Sequence, residues 1–427
     1  MFSASPVVVA AVRRLNRLAA ALCALGLFLG VGNVLPATER GDDWPGFRGH
    51  GDSIAGPGDY PVTWSESVNI AWRIPLAGVG QGSPIVWRGT VYSLCVEGGK
   101  KERLVVEAHD LSTGRGLWKF STNSALPEAV SDMRSRSAPT PVAGPEGVFA
   151  FFESGDCLAL DHDGKLIWHR VVTEEVGELT GNHGLGGSPV LASETLVLPM
   201  DQERPARLLA LDRKTGATRW SAPRPGRTGW STPIVAGSGS LEQVVVSCGG
   251  AVSSYSAKDG GPLWEVGGLI KNLVPSPTLR GDLLVVGAGG KGSNRAFRWD
   301  GGTNAPAAAW EAPDVTSGFA SPLVHAGRAY FLASAGILSA VELTTGRALF
   351  DVRLPDSAWA SPVGAGDHVY IFGQRGTTTV IEASDNYRPV ATNTVAADSK
   401  IVGVAASRGR WIVRAEGELL GIGLPTR

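Results

Sequence analysis

The sequence is poor in the residues that most often carry catalysis or bind metals. Only 7 of its 427 residues are histidine and only 4 are cysteine, and the histidines do not show the short spacings of a metal site. No Cys-x-x-Cys-His segment occurs, so covalent haem attachment is not expected. No Gly-x-Ser-x-Gly nucleophile elbow occurs either, and a serine hydrolase is therefore not indicated.

The chain also lacks a charge imbalance and a cysteine framework. A net charge of −1 gives no electric field that would attract nucleic acid or anionic lipid, so no nucleic-acid partner is expected. Cys95, Cys157 and Cys248 form an odd set, and each lies in or beside a predicted strand. The sequence therefore predicts buried thiols that pack as small apolar groups rather than a disulfide scaffold.

Long apolar runs are missing except near the N-terminus. Arg13, Arg14 and Arg17 precede an apolar run over residues 18–31, which is shorter than the ~20 residues of a spanning helix. This pattern predicts an export signal over residues 1–37 and an exported protein of the periplasm or cell envelope. Cleavage after Ala37 would place Leu35, which is not small, at the third residue before the cut. An uncleaved anchor, the one expected membrane contact, therefore stays an alternative.

What the sequence does contain is a repeat, clearest over residues 321–354. A Ser-Pro pair opens it, and Gly or Thr-Gly turns separate four short runs of β-branched or aromatic residues. Copies share two anchors, an opening Ser/Thr-Pro pair and a closing Thr-Gly or Asp-Gly turn followed by an aromatic residue. The opening prolines are Pro84, Pro141, Pro189, Pro233, Pro277, Pro322 and Pro362. Four strands in each period of about 40 to 50 residues indicate a β-propeller.

Counting the strands predicts how the ring closes. Residues after the seventh copy supply only three more strands, whereas residues 69–76 carry a closing Trp72 without preceding strands of their own. The sequence therefore predicts an all-β, eight-bladed β-propeller of four-stranded antiparallel blades. Its N-terminal strand completes the last blade and so removes an open sheet edge. The predicted organisation is a signal at 1–37, a leader segment at 38–68 and one propeller at 69–427.

Three segments fall outside the repeat. The leader from Asp42 to Tyr60 is rich in Gly and Asp, with Trp44, Phe47 and Arg48 embedded. It is interpreted either as a plug over a channel mouth or, the favoured interpretation, as a lead-in pinned by its aromatic residues. Insertions at residues 123–137 and 172–187 lengthen two connections between blades, and long loops often carry binding groups.

The Ser-Pro opening, the Ala-Leu-Asp strand ends at 159–161 and 210–212, and the Thr-Gly turn with Trp resemble the PQQ-like β-propeller repeat superfamily. That superfamily includes quinoprotein dehydrogenases and the propeller component of the outer-membrane β-barrel assembly machinery. The resemblance covers about residues 44 to 424. It implies the fold more strongly than an activity, because the repeat itself is structural.

Quinoprotein dehydrogenases typically add adjacent cysteines under the cofactor, a calcium site of Glu, Asn and Asp, and a longer chain. This sequence has no Cys-Cys pair and no cluster that matches that calcium motif. We therefore expect no cofactor, with PQQ and Ca²⁺ as the alternative. The sequence favours a protein without catalytic activity over an enzyme but does not decide between the two.

The closing aromatic residues are predicted to pack between blades as structural anchors, because a Trp ring is a large apolar wedge with one hydrogen-bond donor. They are Trp72, Trp118, Trp168, Trp220, Trp264, Trp310 and Phe350.

The residue three positions before each opening proline should lie at the rim of the central channel. Three of these positions are aromatic, namely Trp230, Phe319 and Trp359. Packing between blades is the simpler explanation for them, but a floor for a peptide strand, a sugar or a planar ligand is the alternative. The candidate binding residues are Gln81, Arg136, His183, Arg227, Trp230, Phe319 and Trp359.

Two functional classes follow. The favoured one is a non-catalytic, exported scaffold, expected to be a monomer, which binds another envelope protein or an extended peptide. The other is a periplasmic quinoprotein-type dehydrogenase, or another redox or carbohydrate enzyme, with a divergent cofactor site.

Overall fold

The computed structural model describes residues 41–127, 135–177, 184–203, 206–226, 229–270, 274–396 and 400–424. The predicted signal at residues 1–37 lies outside them. In these ranges the chain is almost entirely β-strand, with one short helix α1 (Thr173–Val176) and a 3-10 turn at Gly239–Leu241. No helix in the described ranges is both long and apolar enough to cross a bilayer. The strands form eight sheets of four antiparallel strands, and the predicted eight-bladed propeller is confirmed.

In blades 1 to 4 the strands run in chain order from the channel outward. Blade 1 contains β2 (Ile85–Trp87), β3 (Thr90–Glu97), β4 (Arg103–Asp110) and β5 (Gly116–Asn123); blade 2 contains β6 (Val142–Gly144), β7 (Gly147–Phe151), β8 (Asp156–Leu160) and β9 (Leu166–Val171); blade 3 contains β10 (Val190–Ala192), β11 (Thr195–Met200), β12 (Arg207–Asp212) and β13 (Thr218–Pro223); blade 4 contains β14 (Ile234–Ala236), β15 (Gln243–Cys248), β16 (Ala251–Ser256) and β17 (Pro262–Gly267).

Blades 5 to 7 repeat this order, and blade 8 combines both ends of the propeller. Blade 5 contains β18 (Thr278–Arg280), β19 (Leu283–Val286), β20 (Asn294–Arg298) and β21 (Ala307–Ala312); blade 6 contains β22 (Leu323–His325), β23 (Arg328–Leu332), β24 (Ile337–Glu342) and β25 (Ala348–Arg353); blade 7 contains β26 (Val363–Ala365), β27 (His368–Phe372), β28 (Thr377–Glu382) and β29 (Pro389–Thr394); blade 8 contains β30 (Ile401–Ser407), β31 (Arg410–Ala415), β32 (Glu418–Gly423) and, outermost, β1 (Ile70–Pro75).

The ring closes through this last pairing, as the strand count predicts. Strand β1 pairs antiparallel with β32, and Arg73 lies opposite Leu420. The Trp72 ring packs on Gly421, where a side chain would collide with the indole. The N-terminal strand therefore covers the edge that β32 would otherwise expose.

The hydrophobic core lies between blades rather than in one centre. Tyr92 and Leu94 of blade 1, for example, share a buried cluster with Val148 and Leu158 of blade 2. Because each blade contacts a neighbour on both faces, its middle strands are apolar on both faces, as the sequence pattern indicates.

Five of the predicted anchor tryptophans make the same contact with the next blade. Each indole Nε1 donates to a backbone carbonyl at the closing turn of the following blade, and the glycine of that turn lies against the ring. The pairs are Trp72 with Leu111 (3.0 Å), Trp118 with His162 (2.8 Å), Trp168 with Arg213 (2.9 Å), Trp220 with Ala257 (3.0 Å) and Trp310 with Leu343 (2.6 Å). The aromatic residue of one closing anchor thus meets the turn of the next closing anchor across each of these interfaces.

The remaining two anchors depart from this geometry. Trp264 donates to the Gln243 side chain at 3.2 Å and meets the Trp299 ring edge-on at 5.3 Å. Gln243 in turn donates to carbonyls of the Gly301-Gly302 turn. Phe350, which has no donor, contacts the Tyr387 ring at 5.8 Å.

The hydroxyl groups of the openers form an open series of hydrogen bonds around the channel, which the sequence interpretation missed. In six successive steps, the backbone N–H of one opener donates to the hydroxyl of the next, at 2.8–3.0 Å. The steps join Ser83, Thr140, Ser188, Thr232, Ser276, Ser321 and Ser361 in order. A Ser or Thr before every opening proline is the sequence signal that could have revealed this link. In blade 8 the residue against Ser83 is Gly403, which has no hydroxyl.

Candidate functional site

The channel has two chemically different ends. The first hairpin turns of the blades, such as Arg88-Gly89 and Arg408-Gly409, lie at one end, here called the turn end. The openers and the connections between blades lie at the other, here called the open mouth. The leader enters at the turn end, where Asp43 accepts a hydrogen bond from the Arg88 N–H and Gly58 packs on Gly409.

The leader crosses the channel and binds the inner strands of several blades. The Trp44 N–H donates to Val86 of blade 1, and the Ala55 N–H donates to Gly364 of blade 7. Between them, the Pro45 carbonyl accepts from Ala143 of blade 2. These are backbone bonds to strand edges that face the channel. A cavity of about 200 Å³ remains between the leader and the inner strands of blades 2 to 4.

Arg48 connects the leader to blades on the far side of the ring. Its guanidinium is buried and donates to the carbonyls of Pro277 (3.2 Å) and Pro322 (3.0 Å), which belong to blades 5 and 6. Burial lowers the pKa of Arg48 to about 10. Trp44 is buried, as a pinned lead-in requires. The segment nevertheless spans the channel, which is the plug geometry that the sequence interpretation did not favour.

The open mouth carries the predicted rim residues. Gln81, Trp230 and Trp359 are half-buried there, whereas the Phe319 side chain is 47% exposed. The Gln81 N–H donates to the Ser137 carbonyl at 3.0 Å, which joins the rim segments of blades 1 and 2. Position 81 therefore lies at the junction of two blades, and a continuous binding surface made by the seven equivalent positions stays a prediction.

Two of the predicted aromatic residues come together at this mouth. Phe319 and Trp359 lie with their ring centroids 5.7 Å apart, on neighbouring blades. The Lys400 ammonium lies 4.8 Å from the centroid of the Trp359 ring, a cation–π contact that the sequence interpretation missed. The blade 8 rim departs from the repeat pattern, so no repeat anchor pointed to Lys400.

The other predicted binding residues are not part of this pair. Trp230 lies against the connection into blade 3, where its Nε1 donates to the Gly184 carbonyl at 3.2 Å. Arg136 is buried and donates to the Leu126 carbonyl, so it does not present its charge to solvent. His183 and Arg227 lie outside the described residues.

A buried carboxylate supports the rim of blade 2 and was not predicted. Glu153 lies in the turn between β7 and β8, and its Oε1 accepts hydrogen bonds from the Ala138 N–H (3.2 Å) and the Ser135 hydroxyl (3.3 Å). Its Oε2 has no hydrogen-bond partner among the described residues. Burial raises the pKa of Glu153 to about 7 from its ordinary value of 4.5. Ser334 and Gln374 occupy the same turn position in blades 6 and 7, so comparing the turns would have singled out Glu153.

We expect Glu153 to make the stability of the propeller depend on pH. Because its folded pKa is raised, the folded state binds more protons than the unfolded state between pH 4.5 and 7. The free energy of unfolding should therefore fall by about 3 kcal/mol as the pH rises through that window. Glu153→Gln should remove this loss, which urea unfolding across the window measures. The same pH profile in wild type and variant would contradict the assignment.

The three cysteines of the described residues lie in separate blades. Cys95, Cys157 and Cys248 are buried and form no disulfide with one another, as the sequence predicts. Burial raises the pKa of Cys95 and Cys248 to about 12, which keeps both thiols protonated. No group of three or more His, Cys, Asp or Glu in the described ranges is arranged to hold a metal ion.

Comparison with known proteins gives a family and a fold. A family model described as "Outer membrane protein assembly factor BamB" matches residues 58–197 and 204–422. A search of curated protein sequences finds no significant match.

Several solved structures share the fold. BamB from Moraxella catarrhalis is 14% identical, with a TM-score of 0.62 over 84% of this chain and 98% of that one. Quinohemoprotein alcohol dehydrogenase from Comamonas testosteroni is 13% identical, with a TM-score of 0.66 over 92% of this chain and 82% of that one. A europium-containing methanol dehydrogenase is 12% identical, with a TM-score of 0.64 over 88% and 90%. Likeness at this level of identity establishes the propeller fold alone.

The repeat anchors, the eight closed blades and a match over most of the propeller agree, and the chain belongs to the PQQ-like β-propeller family described as outer membrane protein assembly factor BamB.

Proposed function

We propose that this protein is a non-catalytic scaffold of the cell envelope whose open mouth binds another protein or an extended peptide. The observation that carries the proposal is a set of exposed apolar side chains on four connections at the open mouth. They are Val79 (44%), Leu126 (43%), Ile270 (56%) and Phe319 (47%). The chain's own leader enters from the turn end, where Leu241 is also exposed, and its Arg48 reaches the openers of blades 5 and 6.

The spread of these side chains favours a macromolecular partner. They belong to segments that lead into blades 1, 2, 5 and 6, so they surround much of the mouth rather than one pocket. Exposed apolar groups distributed in this way, with polar groups between them, are typical of protein interfaces. Small ligands instead bind in concave sites that bury most of their surface.

The family description is consistent with this role. Its printed name refers to assembly of outer membrane proteins, and the solved BamB structure covers 84% of this chain. By analogy, the partner of this protein would be an envelope protein, and the site of action would be the periplasm or the cell envelope.

A quinoprotein-type dehydrogenase is the second candidate, because the Comamonas testosteroni enzyme superposes over 92% of this chain. An absorbance titration with PQQ and Ca²⁺ distinguishes the scaffold from the dehydrogenase. A saturable shift of the cofactor spectrum, together with dye reduction by alcohols or sugars, would favour the enzyme.

The scaffold proposal predicts that capture of an envelope partner depends on the mouth aromatic residues. Phe319→Ser and Trp359→Ala together should abolish capture from envelope extracts, while circular dichroism and the melting temperature stay close to wild type. Val390→Ser is the matched control, since Val390 is 43% exposed on the outer strand β29 of blade 7. Undiminished capture by the double variant, or equal loss in the control, would refute a mouth-specific site.

A further inference from the structure

We infer that the open mouth accepts an acidic, extended peptide segment with an apolar side chain, at a patch formed by Phe319, Trp359, Arg353, Arg375 and Lys400. We call these five residues the cationic aromatic patch. The inference rests on the proposed function and names the chemistry of its partner.

The patch is one continuous surface because backbone bonds join its loops. The Gln374 N–H donates to Ser357 at 2.8 Å, and the Ile401 N–H donates to the Gln374 carbonyl at 3.0 Å. On the other side, the Gly318 N–H donates to Leu332 at 2.8 Å. These bonds place the rims of blades 6, 7 and 8 side by side, so that neighbouring loops present a common face.

The apolar part of the patch is the Phe319–Trp359 pair. Phe319 is 47% exposed, and its ring contacts Trp359 on only one side. An exposed aromatic pair gains free energy when an apolar side chain covers it, by roughly 25 cal/mol for each Å² removed from water. The pair therefore favours a partner with at least one aromatic or aliphatic side chain.

The charged part of the patch is positive. Lys400 lies over the Trp359 ring, and Arg353 donates to the Ala335 carbonyl at 2.8 Å. Neither has a carboxylate partner among the described residues. Arg375 is paired with Asp356 at 3.2 Å, but its side chain is 78% exposed and remains open to a second contact.

The carboxylate that Arg375 contacts is buried. The Asp356 side chain is 2% exposed and accepts bonds from both the side chain and the backbone N–H of Arg375. The connection that carries Phe319 also contains Asp314, which is 88% exposed and paired with Lys291. The patch itself therefore consists of three cations and two aromatic residues. Charge complementarity then selects acidic side chains on the partner.

The shape of the patch favours a peptide over a small planar acid. Phe319 is exposed on the rim, and the cavity that Trp359 lines with Phe47 and Arg48 of the leader holds only about 30 Å³, so a small planar acid would leave most of its surface in water. An extended peptide can cover the pair with one side chain and reach Lys400 and Arg375 with the side chains two residues before and after it, since alternate side chains of a strand point to the same face.

The test uses fluorescence anisotropy of a short labelled peptide, blocked at both ends, with the core Asp-Ser-Phe-Ser-Asp, which places the phenylalanine and both aspartates on one face of an extended chain. A counterpart with lysine in place of aspartate serves as the comparison. We expect the acidic peptide to bind the full chain more tightly, with an affinity that falls as salt is added. Lys400→Glu should weaken it about tenfold and strengthen binding of the lysine peptide. Lys258→Glu, an exposed charge at the turn end, is the matched control and should change neither.

Each contrary outcome is informative. Equal binding of both peptides, or tighter binding of the lysine peptide, would overturn the inference. So would no peptide binding together with envelope capture that still requires Trp359, although the proposed function would then stand. Tighter binding of PQQ than of the acidic peptide at the patch, detected by competition, would overturn the inference and favour the dehydrogenase.

Discussion

Asp201→Asn should destabilise the propeller by about 3–5 kcal/mol, because it leaves a buried guanidinium without its counterion. Arg224 donates to both oxygens of Asp201, at 2.6 and 3.3 Å, and the two side chains are 0% and 2% exposed. Arg224 also donates to the Tyr255 hydroxyl at 3.2 Å, which joins blade 3 to blade 4. The substitution keeps the shape of the side chain but removes its charge and replaces one of the two acceptor oxygens with an amide nitrogen, which cannot accept a hydrogen bond from Arg224. Urea unfolding measures the loss.

The exposed pair Lys291 and Asp314 provides the control for this prediction. Their side chains are 71% and 88% exposed, so Asp314→Asn should change stability by less than about 1 kcal/mol. Equal effects of the two substitutions would show that burial of the Asp201–Arg224 pair does not set its importance.

Trp220→Ala should cost a similar amount, about 3–5 kcal/mol, since it opens a cavity between blades 3 and 4. The Trp220 ring is 7% exposed and lies against Gly260, a turn glycine with a positive φ of 73°. Its Nε1 donates to Ala257 of the next blade at 3.0 Å. The loss should appear in the unfolding midpoint, with partner capture at the open mouth unaffected in the folded protein.

Trp220→Phe separates the two parts of this contact. It keeps most of the apolar ring but removes the indole donor, so we expect a loss of about 1 kcal/mol from the hydrogen bond, with a smaller packing term. If the alanine variant were as stable as wild type, packing between blades would not explain the recurrent tryptophans.

The sequence predicts the fold of this molecule well because its main contacts repeat. Trp72 without preceding strands implies that β1 completes the last blade, and the structure shows β1 paired with β32. The rim position three residues before each opening proline also places Phe319 and Trp359 on one surface. Both predictions use spacing along the chain, which a repeat converts directly into position on the ring.

Contacts that do not recur from blade to blade could not be predicted from the spacing of the repeat. Arg48 and Pro277 are 229 residues apart in the sequence, and nothing in the repeat connects the leader to blade 5. Lys400 belongs to the one blade whose rim lacks the Ser-Pro opener, so its place over Trp359 follows from tertiary packing alone. The repeat therefore predicts the ring of blades. The position of the leader in the channel and the positive charge at the open mouth depend on contacts that occur only once.

The most direct test of the account is photo-crosslinking in living cells. A photo-reactive amino acid in place of Phe319, at the open mouth, should give a discrete adduct with an envelope protein, and the same amino acid in place of Lys258, at the turn end, should give none. An adduct at position 258 but not at 319, or none at 319 while the protein still captures its partner, would contradict the assignment of the open mouth as the docking face.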